Sequence, residues 1–254
     1  VKKSPLDKFY TKPEVAKFLI SKLNLSDFDL IIEPSAGNGA FSSQIDNCLA
    51  FDICPEHPSI VEQDFLLYEY NGKITSSKIL CIGNPPFGKQ CSLALKFIKK
   101  CSEFSDTIAF ILPLSFKKSS IQNKIPKSYH LFNEVDIPEG SFLINGMSCS
   151  VPVVFQIWKN EYVDRHQEDK VYPEGFQYTK KSTANLSVRR VGVNAGKAFY
   201  DTDKSDQSHY FIKTDANIVD ALNRHQWQHN NTVGPRSISK QELNKVINDI
   251  ISQL

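Results

Sequence analysis

The apolar run Lys78 to Gly83 stops abruptly at Asn84-Pro85-Pro86-Phe87-Gly88. Two consecutive prolines remove two backbone donors, so neither a helix nor a central strand continues through them. What remains is an amide side chain, a rigid backbone carbonyl at Pro85 and the flat ring of Phe87. These groups suit one kind of chemistry. An exocyclic aromatic amine is a poor nucleophile, because its lone pair is delocalised into the ring. Two acceptors aimed at its two N–H bonds, the Asn84 side-chain oxygen and the Pro85 carbonyl, pull the nitrogen toward pyramidal geometry. Pro85 and Pro86 hold that carbonyl outward, and Phe87 offers a face for a base to stack on. Such a reaction needs preorganised dipoles more than a strong base. The bland alternative is a proline-kinked loop at a strand end.

The other unusual residues also follow short apolar runs. Leu30-Ile31-Ile32 leads into Glu33-Pro34-Ser35-Ala36-Gly37-Asn38-Gly39. Gly37 and Gly39 let the backbone turn sharply and approach a ligand closely. The full dinucleotide fingerprint would need a third glycine, so a plain strand-to-helix turn is the competing account. Glu33 would repel a pyrophosphate there and would suit a ligand carrying positive charge, such as an ammonium or a sulfonium. Asp52 ends the next apolar run and can accept hydrogen bonds from both hydroxyls of a ribose. Asp64, with Glu62 as a neighbouring competitor, can accept from an adenine amino group, with Phe65 against the ring.

Elements must bring these residues together. Thr11 reads as the N-cap of a helix, with Pro13 in its first turn and Glu14 completing a capping box. Val15, Phe18, Leu19, Ile20 and Leu23 supply its apolar face. Strands are expected at Leu30–Ile32, Leu49–Ile53, Ser59–Phe65, Lys78–Gly83, Thr107–Phe116, within Phe132–Pro138 and at Val151–Trp158. Helices are expected at about Ala40–Cys48 and over Cys91–Phe104. Short apolar strands separated by helices predict an α/β fold. The expected architecture is a Rossmann-like, seven-stranded, mostly parallel sheet with a small C-terminal appendage. In such a sheet ligands sit beyond the carboxyl ends of the strands, where Glu33, Gly37, Gly39, Asp52, Asp64 and Asn84 all fall.

After Trp158 the chain turns polar, which places a boundary between a catalytic domain, 1–160, and a target-recognition region, 161–254. That region carries strand signals at Ser187–Val193 and Ser208–Lys213 and a helix at Ser239–Ile251 whose Ser239 and Glu242 form a capping box. Hydrophobic residues at 41% and charged residues at 23% describe ordinary globular material. A net charge of +2 is too small to decide about nucleic acid by itself. Local charge is more telling. Lys117 and Lys118 lie in one stretch free of acids, and Lys180, Lys181, Arg189 and Arg190 in another, and such stretches suit phosphate contacts. The loop Glu139–Ser150 is placed over the site, with Phe142 beside the base. The six cysteines include no C-x-x-C pair, so a reducing compartment is expected, with no disulfide framework and no metal site. No apolar run reaches the roughly 18 residues that span a bilayer. The sequence opens at Val1 with no signal peptide evident.

At these residues the chain resembles the class I S-adenosylmethionine-dependent methyltransferases. More narrowly, it is similar to the amino-methyltransferases with an Asn/Asp-Pro-Pro-aromatic motif. Asp7–Ala16, with Phe9–Pro13 as its centre, looks like their N-terminal F-x-T-P element, here one residue longer. Glu33–Gly39 looks like their cofactor loop and Asn84–Phe87 like their catalytic motif. The order of these elements is similar to the gamma group of DNA adenine-N6 methyltransferases, and the likeness covers about residues 7–158. It implies that Tyr10 and Thr11 lie near the methionine end of S-adenosyl-L-methionine. Glu33, Pro34, Gly37 and Gly39 would shape its pocket, Asp52 would bind its ribose, and Asp64 with Phe65 its adenine. Asn84, Pro85, Pro86 and Phe87 would hold the target base.

The resulting expectation is methylation of adenine N6 in DNA by base flipping. RNA adenine-N6 or guanine-N2 methylation is the alternative. Protein glutamine methylation and an inactive binding subunit stand behind both. Nucleic acid is the expected partner, with DNA ahead of RNA, no membrane or metal, and no restriction partner indicated. The expected location is intracellular and cytoplasmic, with the nucleoid if DNA is the substrate.

Overall fold

In the computed structural model, which describes residues 9–71, 78–166, 169–227 and 236–254, the apolar runs become one central sheet. The elements of the first unit, Val1–Gln167, are β1 (Tyr10–Thr11), α1 (Pro13–Ile20), β2 (Leu30–Glu33), β3 (Leu49–Asp52) and β4 (Val61–Glu62), then β5 (Ile79–Gly83), α2 (Ser92–Cys101) and β6 (Thr107–Pro113). They are followed by α3 (Ser119–Gln122), β7 (Tyr129–Asp136), β8 (Phe142–Ile144), β9 (Met147–Cys149) and β10 (Val153–Asn160). Seven strands form the sheet in the order β4-β3-β2-β5-β6-β10-β7. Its members pair in parallel except β10, which runs antiparallel to β6 and β7. This is a Rossmann-like α/β sheet, mostly parallel, as expected from the strand spacing.

Alternation along the buried strands builds two cores, one on each face. Ile32, Cys81, Ile108, Phe110 and Trp158 pack with Ala94, Phe97 and Ile98 of α2. Ile31, Leu80, Ile82, Ala109, Phe155 and Ile157 pack with Val15, Ala16 and Leu19 of α1. β5 and β6 are buried at every position, which is why they read as unbroken apolar runs.

Several elements differ from the sequence reading, each for a local reason. Thr11 is not the N-cap of α1; Lys12 is, and it makes no side-chain cap. The Thr11 hydroxyl is engaged elsewhere, by Asn84. The helix expected over Ala40–Cys48 shrinks to a 3-10 turn, Ser42–Gln44, because Asn47 turns left-handed (φ 58°) and β3 begins at Leu49. The third strand keeps only Val61–Glu62, and Asp64 instead caps a 3-10 turn over Phe65–Leu67. The fifth strand ends at Pro113 rather than Phe116. The loop placed over the site, Glu139–Ser150, is a β-hairpin: β8 pairs with β9, and β1 joins them through Thr11↔Phe142.

The second unit, Glu168–Leu254, contains β11 (Phe176–Tyr178), β12 (Leu186–Arg189), β13 (Ala198–Phe199), β14 (His209–Thr214), α4 (Val219–Arg224) and α5 (Lys240–Ile251). Its strands form an antiparallel sheet, β11-β14-β12-β13. Leu186, Val188 and Ile212 pack there against Leu222, Leu243 and Ile247. The division falls after residue 160 because Arg165 still binds the first unit. Its guanidinium donates to the carbonyls of Pro126 (2.7 Å) and Tyr129 (2.9 Å). The predicted capping box of α5 is present in both directions, Glu242 N to Ser239 Oγ and Ser239 N to the Glu242 carboxylate. Ser239→Ala is expected to cost about 1 kcal/mol, read as a lower urea midpoint followed by far-UV circular dichroism. An unchanged midpoint would remove the cap from the account of this unit.

Candidate active site

The strand order reverses between β2 and β5, so their carboxyl ends open a crevice. Glu33–Gly39 leaves β2 there and Asn84–Phe87 leaves β5 there. The sequence alone places each motif after a strand. Only the sheet order makes those strands neighbours.

Asn84 is half-buried, and its amide nitrogen is committed. Nδ2 donates to the Phe9 carbonyl (3.2 Å) and to Thr11 Oγ1 (3.3 Å). That leaves Oδ1 as the acceptor end of the side chain. The Asn84 carbonyl accepts from the Ser35 hydroxyl (3.4 Å), which ties the corner to the loop after β2. Pro85 is buried, Pro86 is exposed, and the half-buried Phe87 packs along the core on the α1 side. The Phe87 carbonyl accepts from the backbone of Leu93 (3.1 Å) and Ala94 (3.3 Å), so α2 closes the loop that carries the ring. Gly88 is needed in that loop, because at φ 67° a Cβ would lie 2.7 Å from Leu93 Cβ. Gln90 and Cys91 are left-handed too (φ 53° and 63°), and the Cys91 thiol contacts the Ser115 hydroxyl at 3.1 Å.

The loop after β2 is equally constrained. Gly37 and Gly39 take φ 56° and 82°. A Cβ on Gly37 would touch the Tyr10 ring at 3.4 Å, so the ring of Tyr10 covers this turn. The Tyr10 hydroxyl donates to the Glu56 carboxylate, and Glu56 N donates to the Gly37 carbonyl (2.9 Å). Asp52 accepts from Gly37 N through Oδ2 and from Cys54 N through Oδ1, both at 2.8 Å. The carboxylate therefore orders the loop, and it stays half-exposed.

Glu33 is 2% exposed, with its Oε2 accepting from Ser42 N at 2.8 Å. Burial pushes its pKa up to about 7, against the pull of hydrogen bonds from Ser42 and Phe41, and the nearby Asp52 adds to the rise. The protein itself buries this carboxylate, so it is not a surface presented to a ligand.

Other expected residues lie elsewhere. Phe65 is 1% exposed and stacks on Phe97 within the α2-side core. It cannot lie against a bound ring, which leaves exposed Asp64 as the polar edge, with Oδ1 already accepting from Leu66 N (2.9 Å). Phe142 is also 1% exposed and belongs to the α1-side core, so it does not sit beside a base. Its apolar character reflects hairpin packing. Lys117 is not free for phosphate: it pairs with Glu134 (3.0 Å) and Asp136 (2.9 Å) of β7. The stretch looked free of acids because these lie 17 and 19 residues downstream. Lys118 lies at the foot of α3.

In the second unit Lys181 pairs with Asp203, and Lys180 is exposed. Arg189 is half-buried, donating from Nε to the Val191 carbonyl (2.9 Å). Arg190 is exposed; its Nε donates to the Gln207 carbonyl and its guanidinium lies 5.8 Å from the Tyr210 ring centre.

The sequence reading missed Ser35, Ser42 and Glu56 as organisers of this site. Ser35 could have been suspected from its place inside the glycine loop. Nothing in the spacing links Glu56 to Tyr10, 46 residues away. Among the described residues no group of three His, Cys, Asp or Glu could hold a metal ion. No described helix is long and apolar enough to cross a membrane.

No family model matches the chain, and no curated protein matches it. Solved structures do. A protein described as an RNA methyltransferase, PH1948 from Pyrococcus horikoshii, is similar at TM-score 0.44 and 14% identity, over 61% of this chain and 87% of that one. Thermoplasma acidophilum 1320 is similar at TM-score 0.40 and 18% identity, over 63% and 93%. The 23S rRNA methyltransferase ErmE is similar at TM-score 0.40 and 13% identity, over 63% and 72%. At such identities residue roles do not transfer.

Proposed function

We propose that this chain is an S-adenosylmethionine-dependent methyltransferase acting on an exocyclic amine of a nucleobase in nucleic acid, adenine N6 first. The observation that carries the reading is the Asn84 side chain. Its nitrogen is tied to Phe9 and Thr11, which leaves its oxygen as the acceptor, and its backbone carbonyl is tied to Ser35 of the glycine loop.

The residues present fit the cofactor. Gly37 and Gly39 form a turn that side chains would fill, under the Tyr10 ring. Half-exposed Asp52 retains lone pairs for ribose hydroxyls, and exposed Asp64 offers an acceptor for an adenine amine. When bound, S-adenosylmethionine supplies an electrophilic methyl group on a sulfonium. Asn84 Oδ1 and the Pro85 carbonyl would then accept from the two N–H bonds of the target amine, and Phe87 would stack on its ring. Localising the lone pair would make the nitrogen nucleophilic toward that methyl group, and its surplus proton would then pass to water. No strong base is required, and the corner contains none.

Asn84, Pro85 and Phe87 read an amine on a ring and not a 2′-hydroxyl. RNA therefore stands beside DNA as acceptor, and an unpaired RNA base needs no flipping. The test offers duplex DNA, single-stranded DNA, structured RNA and a glutamine-containing peptide in parallel, with methyl-labelled S-adenosylmethionine. Label is expected in nucleic acid as N6-methyladenine. Label in peptide alone would replace this reading with glutamine methylation. No label and no cofactor binding would leave a binding subunit.

The second unit is proposed as the target-recognition region, with exposed Lys180 and Arg190 as phosphate contacts; Lys181 is already paired with Asp203, and half-buried Arg189 is tied to the Val191 carbonyl. Lys180→Ala with Arg190→Ala is expected to weaken binding. The log–log salt slope should flatten by about 0.7 to 0.9 for each phosphate that is no longer neutralised. A slope equal to that of the native protein would remove this patch from the interface.

A further inference from the structure

We propose that Glu33 is a positioning residue whose ionised carboxylate braces the glycine loop against the catalytic corner, so that the two halves of the site are ordered together. This rests on the reading above and goes beyond it, because Glu33 is assigned no contact with cofactor or base.

Three observations place it there. Glu33 ends β2 and is 2% exposed, so no ligand reaches it. Its Oε2 accepts from Ser42 N at 2.8 Å, which pins the turn that follows Gly39. Its stem fills the space beside Gly83, the residue before Asn84: a Cβ on Gly83, at φ 148°, would lie 3.3 Å from Glu33 Cγ and 3.6 Å from Oε1. One side chain thus hydrogen-bonds the turn after the glycine loop and occupies the space that a side chain at position 83 would need. Glycine at position 83 leaves that space to Glu33 and takes the positive φ without strain.

The brace depends on charge. An ionised carboxylate accepts a shorter and stronger hydrogen bond from an N–H than a neutral carboxyl does. The titratable groups facing Glu33 are Asp52 at the end of β3 and the Cys48 thiol just before it. Asp52 opposes ionisation, whereas Cys48, pushed up to about 12, stays neutral; no cation is among the groups that shift Glu33. Burial raises the carboxyl to about 7, so the brace is half-made near neutral pH. A sulfonium or ammonium arriving at the loop favours the ionised form and releases the proton. The bound state holds fewer protons, so affinity rises with pH below about 7 and levels off above it.

The test compares native protein with Glu33→Gln, which keeps the shape and one acceptor oxygen but cannot ionise. The amide resonances of Ser42 and of the Asn84 side chain are followed from pH 5.5 to 8 without ligand. Both are expected to titrate together near 7 in the native protein and to stay flat in the variant. A Ser42 signal that titrates while Asn84 stays still would reduce Glu33 to a local loop contact and overturn the coupling. No titration at either position would overturn the proposal outright. Calorimetry with S-adenosylmethionine is the second readout. Affinity is expected to fall by about tenfold per pH unit below 7 in native protein, and to be pH-independent in Glu33→Gln. Equal slopes would also overturn the proposal. If neither protein binds S-adenosylmethionine while both amides titrate, the cofactor assignment fails and the brace stands.

Discussion

Asn84→Ala is expected to lower methyl transfer by on the order of 10²- to 10³-fold, the usual cost of deleting one preorganised dipole from a reacting centre. Affinity for S-adenosylmethionine should stay within about threefold of native. The split follows from the geometry. The Asn84 oxygen is aimed away from its anchors at Phe9 and Thr11, whereas the glycine loop is held by Asp52 and Glu56. Single-turnover transfer and equilibrium cofactor binding separate the two effects. Thr11→Val supplies a second variant. It removes one of the two acceptors that orient the amide, keeps Oδ1, and should cost about tenfold. Transfer that survives Asn84→Ala within a factor of three would show that another group activates the amine.

Asp52→Ala is expected to weaken S-adenosylmethionine binding by about 30- to 100-fold and to loosen the loop in the unliganded protein. The carboxylate accepts backbone bonds from Gly37 and Cys54, both at 2.8 Å, and hydrogen bonds to a charged group are each worth about 1.5 to 3 kcal/mol. Asp52→Asn preserves one acceptor and should fall between native and Ala. Calorimetry gives the affinity. Faster hydrogen exchange at Gly37 reports the loop. An affinity loss without faster exchange would mean that Asp52 contacts ligand only. Unchanged affinity would contradict the assignment of this crevice to the cofactor.

The strands were legible because burial on both faces forces unbroken apolar runs, as in Ile79–Gly83 and Thr107–Pro113. The motif residues were legible because each breaks such a run with a type that regular structure does not favour. Asn84, Pro85 and Pro86 are the plainest case. The α5 capping box was legible because its two partners are three residues apart and answer to local geometry alone. The Thr11 capping box has the same spacing and failed, since a distant amide claimed the hydroxyl. Phe65 and Phe142 failed for a related reason. An aromatic ring beside a motif reads as a ligand platform, but in both cases the nearest large apolar volume was the core.

Residue types and their order along the chain thus determined the parallel sheet, the glycine loop, the acidic strand ends and the Asn-Pro-Pro-Phe corner. Tertiary structure alone decided that β2 and β5 are neighbours, that Glu33 lies against Gly83, and that Lys117 is neutralised by Glu134 and Asp136. Local patterns report what a residue can do within a few positions. Pairing between strands, and between charges 17 or more residues apart, depends on which surfaces the folded chain must bury together.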